Sequence, residues 1–461
     1  MIMVMGSIPE EVDIAIIGGG VGGYVAAIRA AELGKSVTLV EKEKLGGHCL
    51  NYACIPSKTL INIADILYEA RNSQKLGING NGISVDAKAM YDWRMGVSKK
   101  LEDGVGFLCK SNGVEVIKAQ GTLLSSNRLQ LTNGEELDFK KAIIATGSEP
   151  ASLKGFDFGG NILDYKQALM LDRIPKSMVI IGAGYVAVEI GTLYAKLGCE
   201  VHIIARSDVL SKFDKDAVDI LKKKMTQFGI KVHAGAEPVS HDSESVKLSN
   251  GEMVNAEIIV VAIGLKPYTD VLGIENTKVK QDKKGFIMVD NTLKTDDDNI
   301  LAIGDVIGEP MLAHKAMRQG VIAAEVASGM KSGYDNIVVP AVIFSDPEVA
   351  IAGNITGEGL TITKFPMTAI GRAIAIGKEE GFVKIACDGE GIVKGIEIVG
   401  NNASSMIAEA ALAIEMGAVA EDIADTIHPH PTFSEAVQEA AEAALGRPVH
   451  FFYGKKTGGI K

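Results

Sequence analysis

Residues 12–41 read VDIAIIGGGVGGYVAAIRAAELGKSVTLVE, and three consecutive elements can be recognised in this run. The apolar, β-branched residues 12–17 predict a buried strand, the following glycines predict a turn, and residues 24–33 predict a helix. Residues 36–40 predict a second buried strand that ends at Glu41. The order strand, glycine turn, helix, strand and acid is that of a βαβ unit that binds a dinucleotide.

The turn satisfies the pattern G-x-G-x-x-G with Gly18, Gly20 and Gly23, and Gly22 is a further glycine within it. Glycines let the backbone approach a pyrophosphate, and the N-terminus of the following helix stabilises the phosphate charge. Glu41 can accept a hydrogen bond from a ribose hydroxyl. We therefore predict a dinucleotide site on this module.

Residues 178–206 repeat the unit as MVIIGAGYVAVEIGTLYAKLGCEVHIIAR. Here the turn is G-x-G-x-x-A, formed by Gly182, Gly184 and Ala187. Two modules predict two dinucleotides, most simply a flavin and a nicotinamide. Two copies of one cofactor are less plausible, because only the first module is followed by paired cysteines.

Those cysteines, Cys49 and Cys54, lie in residues 46–58, GGHCLNYACIPSK. In a regular helix this offset separates the Cα atoms by roughly 8.6 Å, which exceeds the limit of roughly 7 Å for a disulfide. A disulfide requires an irregular segment, which Pro56 favours. We expect the pair on the first turns of a helix, where the helix N-terminus and Lys58 would favour a thiolate. The alternative is two buried cysteines without a redox role.

Composition excludes several classes of protein. The 461 residues suggest roughly three domains, and the net charge of −11 argues against binding of nucleic acid through its phosphates. Five scattered cysteines are too few for a secreted, disulfide-stapled framework. Residues 1–9 show neither a signal peptide nor a membrane span. We predict a cytoplasmic protein without a membrane segment, and we assign no metal ligands.

The chain changes character after residue 334, where antiparallel strands and two helices are predicted. Residues 427–435, IHPHPTFSE, lie between those helices. Two prolines can hold an imidazole outside the core with little freedom. The alternative is a helix-capping turn with Ser434 as the N-cap.

Together these segments resemble the pyridine-nucleotide disulfide oxidoreductases over nearly the whole chain, and the dihydrolipoamide dehydrogenase branch in particular. Residues 46–58, 304–305, 311–316 and 430–435 are similar to the signatures of that family. The resemblance implies an α/β fold with two Rossmann-like dinucleotide-binding domains and a C-terminal α+β dimerisation domain. The implied boundaries are 1–148 and 266–335 for the FAD domain, 149–265 for the NAD(P) domain and 336–461 for the dimerisation domain.

The resemblance also implies roles for single residues. Cys54 would contact the flavin and Cys49 would exchange with the substrate, while Lys58 would lie near the reactive flavin nitrogen and pair with Glu189. Further expected FAD and nicotinamide contacts are Lys42, Gly47, Thr146, Gly147, Tyr185, Val186, Ala262, Gly264, Gly304, Asp305, Leu312, Ala313 and His314.

His430, oriented by Glu435, would be the general base for the dithiol. In the family this histidine acts on the partner subunit, which implies a homodimer. The implied macromolecular partner is the lipoyl domain of a 2-oxo acid dehydrogenase complex. His48, Ala53 and the pair at 265–266 depart from the expected pattern.

The second module ends at Ala205 and Arg206, where an acid would favour NAD. An arginine accommodates the 2′-phosphate of NADP, and Ala187 in the turn is similar to NADP-using glutathione reductases. The dihydrolipoamide dehydrogenases usually take NAD, and Arg206 is otherwise a solvated surface charge. We expect NADP to be used, with NAD as the alternative.

The resemblance implies that the chain oxidises protein-bound dihydrolipoamide through FAD and a Cys49–Cys54 disulfide. An NADPH-dependent reductase of another small disulfide is the alternative of the same chemical class. A flavin-bearing scaffold protein is the alternative of a different class.

Overall fold

The structure is a computed structural model that describes residues 11–453. Its elements are numbered in chain order. The strands are β1 (Val12–Ile17), β2 (Val37–Glu41), β3 (Glu115–Lys118), β4 (Gly121–Ser125), β5 (Arg128–Leu131), β6 (Glu136–Ile144), β7 (Ser148–Pro150), β8 (Ile162–Leu163), β9 (Ser177–Ile181), β10 (Glu200–Ala205), β11 (Lys231–Ala234), β12 (Pro238–His241), β13 (Ser245–Leu248), β14 (Met253–Asn255), β15 (Ile258–Val261), β16 (Leu265–Pro267), β17 (Ile300–Ala302), β18 (Ala341–Ile343), β19 (Glu348–Gly353), β20 (Thr361–Pro366), β21 (Phe382–Cys387) and β22 (Val393–Gly400).

The α-helices follow the same order. They are α1 (Val21–Glu32), α2 (Gly47–Asn51), α3 (Cys54–Asn72), α4 (Ala87–Ser111), α5 (Tyr165–Ala168), α6 (Tyr185–Leu197), α7 (Lys215–Gln227), α8 (Ala313–Ala327), α9 (Gly371–Ala375), α10 (Ala403–Glu415), α11 (Ala420–Asp425) and α12 (Glu435–Ala444). Within residues 11–453, no helix combines the length and the apolar character needed to cross a bilayer.

The chain divides into two compact units. Within the described residues, the first unit consists of residues 11–175 and Ile258–Asp335, and the second of Lys176–Glu257 and residues 336–453. The domain boundaries expected from the sequence stay a prediction.

The first unit is built on a sheet in which β3, β2, β1 and β6 run in parallel. Strand β17 also pairs in parallel with β6, and β5 and β4 extend the sheet in the antiparallel sense. Central β1 is apolar and buried on both faces, as expected for a strand that helices or further strands cover on each side.

Helices α1 and α8 cross at close range in the first unit. A Cβ atom at Gly320 would lie 2.5 Å from the carbonyl oxygen of Gly22, and a Cβ at Gly22 would lie 3.1 Å from the carbonyl oxygen of Ala316. Gly22, which we expected to contact the cofactor, therefore lies at a helix–helix contact.

The second unit contains a parallel sheet of β9, β10 and β11, with α6 connecting the first two strands. Strands β12, β13 and β14 form an antiparallel meander. The C-terminal part of the second unit contains an antiparallel sheet in the order β18, β19, β22, β21, β20. Apolar residues of β21, β22, α10 and α12 form its core. The predicted fold class, two dinucleotide-binding modules followed by an α+β region, is confirmed.

Candidate active site

The glycine turn of the first module leaves its backbone open to a ligand. Gly18 has a φ of +106°, which glycine adopts without strain. A Cβ atom at Gly23 would lie 1.8 Å from the carbonyl oxygen of Gly18, so only a glycine at this position allows α1 to pack this close to the turn. Helix α1 begins after Gly20, and no side chain caps its first N–H groups. These N–H groups and the helix dipole fit the pyrophosphate of FAD.

Glu41 is held beside this turn at the end of β2. Its Oε2 accepts a hydrogen bond from the Gly19 N–H at 2.6 Å, and its Oε1 accepts one from the Glu43 N–H at 2.6 Å. Each carboxylate oxygen has a second acceptor site, which fits a ribose hydroxyl. The ammonium group of neighbouring Lys42 lies 3.7 Å from the ring centre of Tyr268.

The two cysteines lie on successive helices. Cys49 is in α2 and Cys54 is the first residue of α3, and the chain leaves helical geometry at Tyr52 and Ala53. The expected irregularity is confirmed, whereas the expectation that one helix carries both residues is wrong. A hydrogen bond with Cys54 and burial raise the pKa of the Cys49 thiol.

The cysteine segment adjoins the glycine turn. The Gly46 N–H donates a hydrogen bond to the carbonyl of Gly19 at 2.8 Å. A Cβ atom at Gly47 would lie 2.7 Å from the Cα of Gly20. Lys58 follows Cys54 by one turn of α3 and so lies on the same helix face. The candidate pyrophosphate site and the cysteine pair thus share one region of the first unit.

His48, which departs from the family pattern, is held as a neutral imidazole. Its Nδ1 lies 3.3 Å from the hydroxyl of Tyr165. Burial lowers its pKa to about 4, and the nearby Lys166 ammonium acts in the same direction. This imidazole therefore carries no charge near neutral pH.

Gly304 and Asp305 follow β17 as the sequence predicts. The Gly304 N–H donates to Oε1 of Gln319 at 2.9 Å, and the Ser148 hydroxyl donates to Oδ2 of Asp305 at 2.6 Å. Burial raises the pKa of Asp305, and a ligand hydroxyl at this carboxylate would fit its chemistry. Lys315 is buried nearby and donates to the carbonyl of Gly308 at 2.7 Å.

Ser148, Gln319 and Lys315 were not singled out from the sequence. Their signal is weak, because single polar residues in apolar surroundings are common. Lys315 nevertheless falls within the signature at 311–316. The predicted residues of that signature lie at the start of α8, with Leu312 as its N-cap and Ala313 and His314 in its first turn.

Two further strand ends of the first unit carry predicted site residues. Thr146 Oγ1 donates to the carbonyl of Tyr268 at 2.8 Å, and the Tyr268 N–H donates to the carbonyl of Gly147 at 3.0 Å. Ala262 directly follows β15, and Gly264 has a φ of +130°. Their contacts with a cofactor stay a prediction.

The second module repeats the turn with one difference. Gly182 has a φ of +123°, and α6 begins after Gly184 without a side-chain cap. Tyr185 is exposed and Val186 half-buried in its first turn, while the methyl group of Ala187 is buried.

Glu189 is buried in α6, where its Oε1 accepts a hydrogen bond from the Phe344 N–H at 2.9 Å. Its expected pairing with Lys58 stays a prediction. At the end of β10, the acid position of the first module is taken by buried Ala205, and exposed Arg206 follows.

The loop between α11 and α12 presents His430 to solvent. Its Nδ1 lies 2.8 Å from Oε1 of Glu435, whose Oε2 accepts the Thr432 N–H at 2.8 Å. Burial acts to raise the pKa of Glu435, but the His430 and Thr432 hydrogen bonds lower it overall. A carboxylate only accepts, so Nδ1 carries the proton and the outward Nε2 can receive one. Ser434 is the N-cap of α12 but makes no side-chain capping bond.

Comparison with known proteins supplies the family. Residues 12–320 match the model of the pyridine nucleotide-disulphide oxidoreductases, and residues 339–441 match the dimerisation domain of the same family. The chain belongs to this family. The match covers both nucleotide modules, the cysteine pair and the His430 loop.

Two relatives align with this chain along nearly its full length. Dihydrolipoyl dehydrogenase of Geobacillus stearothermophilus is 43% identical, with 97% of this chain and 99% of the relative covered. Dihydrolipoyl dehydrogenase of Bacillus subtilis is 42% identical with the same coverage. Among solved structures, LpdA of Mycobacterium tuberculosis superimposes with a TM-score of 0.87 at 26% identity, covering 94% of this chain and 99% of that one.

Family membership makes the protein an enzyme of the flavoprotein disulfide oxidoreductase type, with FAD and a pyridine nucleotide as cofactors. The redox interpretation of Cys49 and Cys54 is confirmed at this level, since the two residues are close together in a disulfide oxidoreductase fold.

Proposed function

We propose that this protein is an FAD-dependent dihydrolipoyl dehydrogenase, which oxidises protein-bound dihydrolipoamide to lipoamide and reduces a nicotinamide nucleotide. The observation that carries the proposal is the 43% and 42% identity to two dihydrolipoyl dehydrogenases over 97% of this chain. The cysteine pair and the His430–Glu435 pair, which the reaction needs, are both present.

Thiol exchange starts from the Cys49–Cys54 disulfide. Nε2 of His430 removes a proton from one substrate thiol, and the resulting thiolate attacks the sulfur of Cys49. The bond between the cysteines breaks, Cys54 leaves as a thiolate, and a mixed disulfide forms between substrate and Cys49. The second substrate thiol then displaces Cys49 and closes the lipoamide ring. Of the two substrate protons, one goes to Cys49 and the other stays on His430.

Glu435 supports this chemistry by holding His430 in one tautomer. Its carboxylate fixes the proton on Nδ1 and stabilises the imidazolium that forms when Nε2 takes up a proton. The first glycine turn, Glu41 and Asp305 would hold FAD, which would supply two-electron transfer between the reduced cysteines and a nicotinamide.

The proposed enzyme is a cytoplasmic homodimer in which His430 and Glu435 act on the cysteine pair of the partner subunit. The matched dimerisation domain supports this arrangement. The proposed macromolecular substrate is the lipoyl domain of a 2-oxo acid dehydrogenase complex.

For the nicotinamide we propose NADP, with NAD as the alternative. Support comes from exposed Arg206 after buried Ala205, because no acid stands there to repel a 2′-phosphate. The same residues support the second candidate function, an NADPH-dependent reductase of another small disulfide.

The deciding assay compares reduced lipoamide with glutathione disulfide on the purified protein. We expect a yellow protein that oxidises reduced lipoamide and turns over glutathione disulfide slowly or not at all. A colourless protein would contradict the proposal, and turnover of glutathione disulfide alone would support the reductase.

Matched cysteine variants test the assignment of the two sulfurs. Cys49→Ser should abolish turnover but show a long-wavelength absorbance band without reduction, because the Cys54 thiolate still faces the flavin. Cys54→Ser should lose both. Identical spectra of the two variants would refute the assignment.

A further inference from the structure

His428 and His430 stand two residues apart in the loop of residues 426–434, but their surroundings differ. The side chain of His428 is 4% exposed, whereas that of His430 is 77% exposed. Each ring contacts one glutamate. Only His430, however, presents a nitrogen to solvent, so the two imidazoles have different tasks.

The hydrogen bonds of His428 fix its protonation. Nδ1 lies 2.8 Å from the carbonyl oxygen of Thr426, and Nε2 lies 2.8 Å from Oε1 of Glu409 in α10. A carbonyl and a carboxylate both only accept hydrogen bonds. Both ring nitrogens must therefore donate, so the ring carries both protons and a positive charge.

The charged groups around His428 favour this state. Glu409 contacts it from α10, and Glu435 acts on it from α12. The hydrogen bond to Glu409 raises the pKa of His428, and the Thr426 carbonyl acts in the same direction against burial.

We infer that His428 is a positioning residue: as an imidazolium bonded to Glu409, it anchors the loop to α10 and so holds His430 in place as the base. The inference rests on the proposed function, in which His430 deprotonates the dithiol. The C-terminal part of the loop is held separately, because Thr432 Oγ1 donates to the carbonyl of Pro429 at 2.7 Å and the Thr432 N–H donates to Glu435. Loss of the hydrogen bond between His428 and Glu409 therefore displaces the N-terminal part of the loop.

The anchor makes the reaction sensitive to pH in one direction. When pH rises through the pKa of His428, the ring loses one proton and one of its two acceptors loses its donor. Catalysis should decline there. Replacing Glu409 by Gln removes the carboxylate that holds the proton, so the same decline should move to lower pH.

The test has two parts, both with the full-length holoenzyme. Site-resolved Cε1 hydrogen exchange of the histidines, followed by mass spectrometry against pH, measures the protonation midpoint of each ring without activity. We expect slow exchange at His428 with a midpoint above the free value of about 6.5, and a clearly lower midpoint after Glu409→Gln. A His428 midpoint at or below the free value in wild type would overturn the inference, whether or not the protein oxidises dihydrolipoamide.

The second part measures kinetics of His428→Gln, Glu409→Gln, the double variant and the surface control His241→Gln. We expect kcat for reduced lipoamide to fall by up to about 10²-fold, the scale of a roughly 1 Å misplacement of a catalytic group, with little change in KM and no further loss in the double variant. Reduction of an artificial electron acceptor by the nicotinamide, which needs no dithiol base, should stay at the level of the control. An unchanged kcat, or a parallel loss of both activities, would overturn the positioning role.

Discussion

The two nucleotide modules share a strand, turn and helix but differ at two positions. At the third turn position, Gly23 leaves no room for a Cβ atom, whereas Ala187 of the second module carries one in a buried site. At the end of the second strand, Glu41 accepts two backbone hydrogen bonds, whereas Ala205 offers only a methyl group.

The same sequence pattern therefore permits two different packing distances between the helix and the glycine turn. In the first module, α1 is also crossed closely by α8 through Gly22 and Gly320. A residue larger than glycine at position 23 would force α1 and the turn apart, and the close contact with α8 restricts the movement of α1. The second module accepts the methyl group of Ala187. Where the first module has the hydrogen-bonded carboxylate of Glu41, the second has Ala205 followed by Arg206.

The largest expected effect is at Gly23. Its replacement by Ala would place Cβ 1.8 Å from the carbonyl oxygen of Gly18, which requires the backbone to move. We expect Gly23→Ala to lose nearly all bound flavin, measured as flavin absorbance per protein. The reciprocal variant Ala187→Gly should keep its flavin, and full flavin content in Gly23→Ala would contradict the comparison.

The next effect concerns Glu41. Glu41→Ala removes the acceptor for the Gly19 and Glu43 N–H groups and for the ribose. Hydrogen bonds to a charged group contribute about 1.5–3 kcal/mol each, so we expect the dissociation constant for FAD to rise by roughly 10- to 100-fold. Reconstitution of apoprotein with FAD measures it, with Glu43→Ala as the neighbouring control. Equal affinity in the two variants would show that Glu41 has no special role.

A smaller effect is expected at the matching position of the second module. Arg206→Ala should lower kcat/KM for NADP by about tenfold, because it removes one charge-assisted contact with the 2′-phosphate, and it should leave the NAD value unchanged. Ala205→Glu, which imports the acid of the first module, should favour NAD. A wild-type enzyme with a strong preference for NAD would contradict the assignment.

The smallest effect extends the comparison to pH. Helix α7, which follows β10, begins beside a cluster of charged side chains. In this cluster, Nζ of Lys384 lies 2.6 Å from Oδ1 of Asp214 and 2.9 Å from Oδ2 of Asp216. Buried Glu397 is 1% exposed, and burial followed by Asp214 raises its pKa to about 8. The folded state thus holds a proton that the unfolded state releases above about 4.5.

Stability from this group is therefore complete below pH 4.5 and is lost as pH rises through 8. We expect Glu397→Gln, which stays neutral, to raise Tm at pH 9 by about 2–4 °C, which corresponds to about 1 kcal/mol. At pH 5 the two proteins should melt alike. The same gain at both pH values would show that ionisation of Glu397 is not the cause.

The sequence predicted the two modules well, because β-branched runs, glycine turns and helical periodicity are local signals. Helix α7 was missed, although Asp214 caps it and Val218, Leu221 and Met225 recur at helical spacing. The strands β12 and β14 are short and largely exposed, so they contain too few apolar residues for the sequence to predict a strand.

At the candidate site, the residue types were predictable but the local geometry was not. Pro56 suggested irregular backbone, yet the break lies at Tyr52 and Ala53, because a proline in the first turn of α3 needs no N–H partner. The contrast between His428 and His430 also depends on Glu409, which is distant in sequence. Such tertiary partners cannot be read from spacing.

The most direct test of the account is anaerobic titration of the purified protein with reduced lipoamide, followed by addition of NADP or NAD. We predict that reduced lipoamide produces the long-wavelength band in wild type, because the Cys54 thiolate then faces an oxidised flavin, that the nicotinamide removes the band and restores the starting spectrum, and that Cys49→Ser does not react with reduced lipoamide. A wild-type spectrum that does not change in excess reduced lipoamide, or a spectral change in Cys49→Ser that is as fast as in wild type, would contradict this prediction.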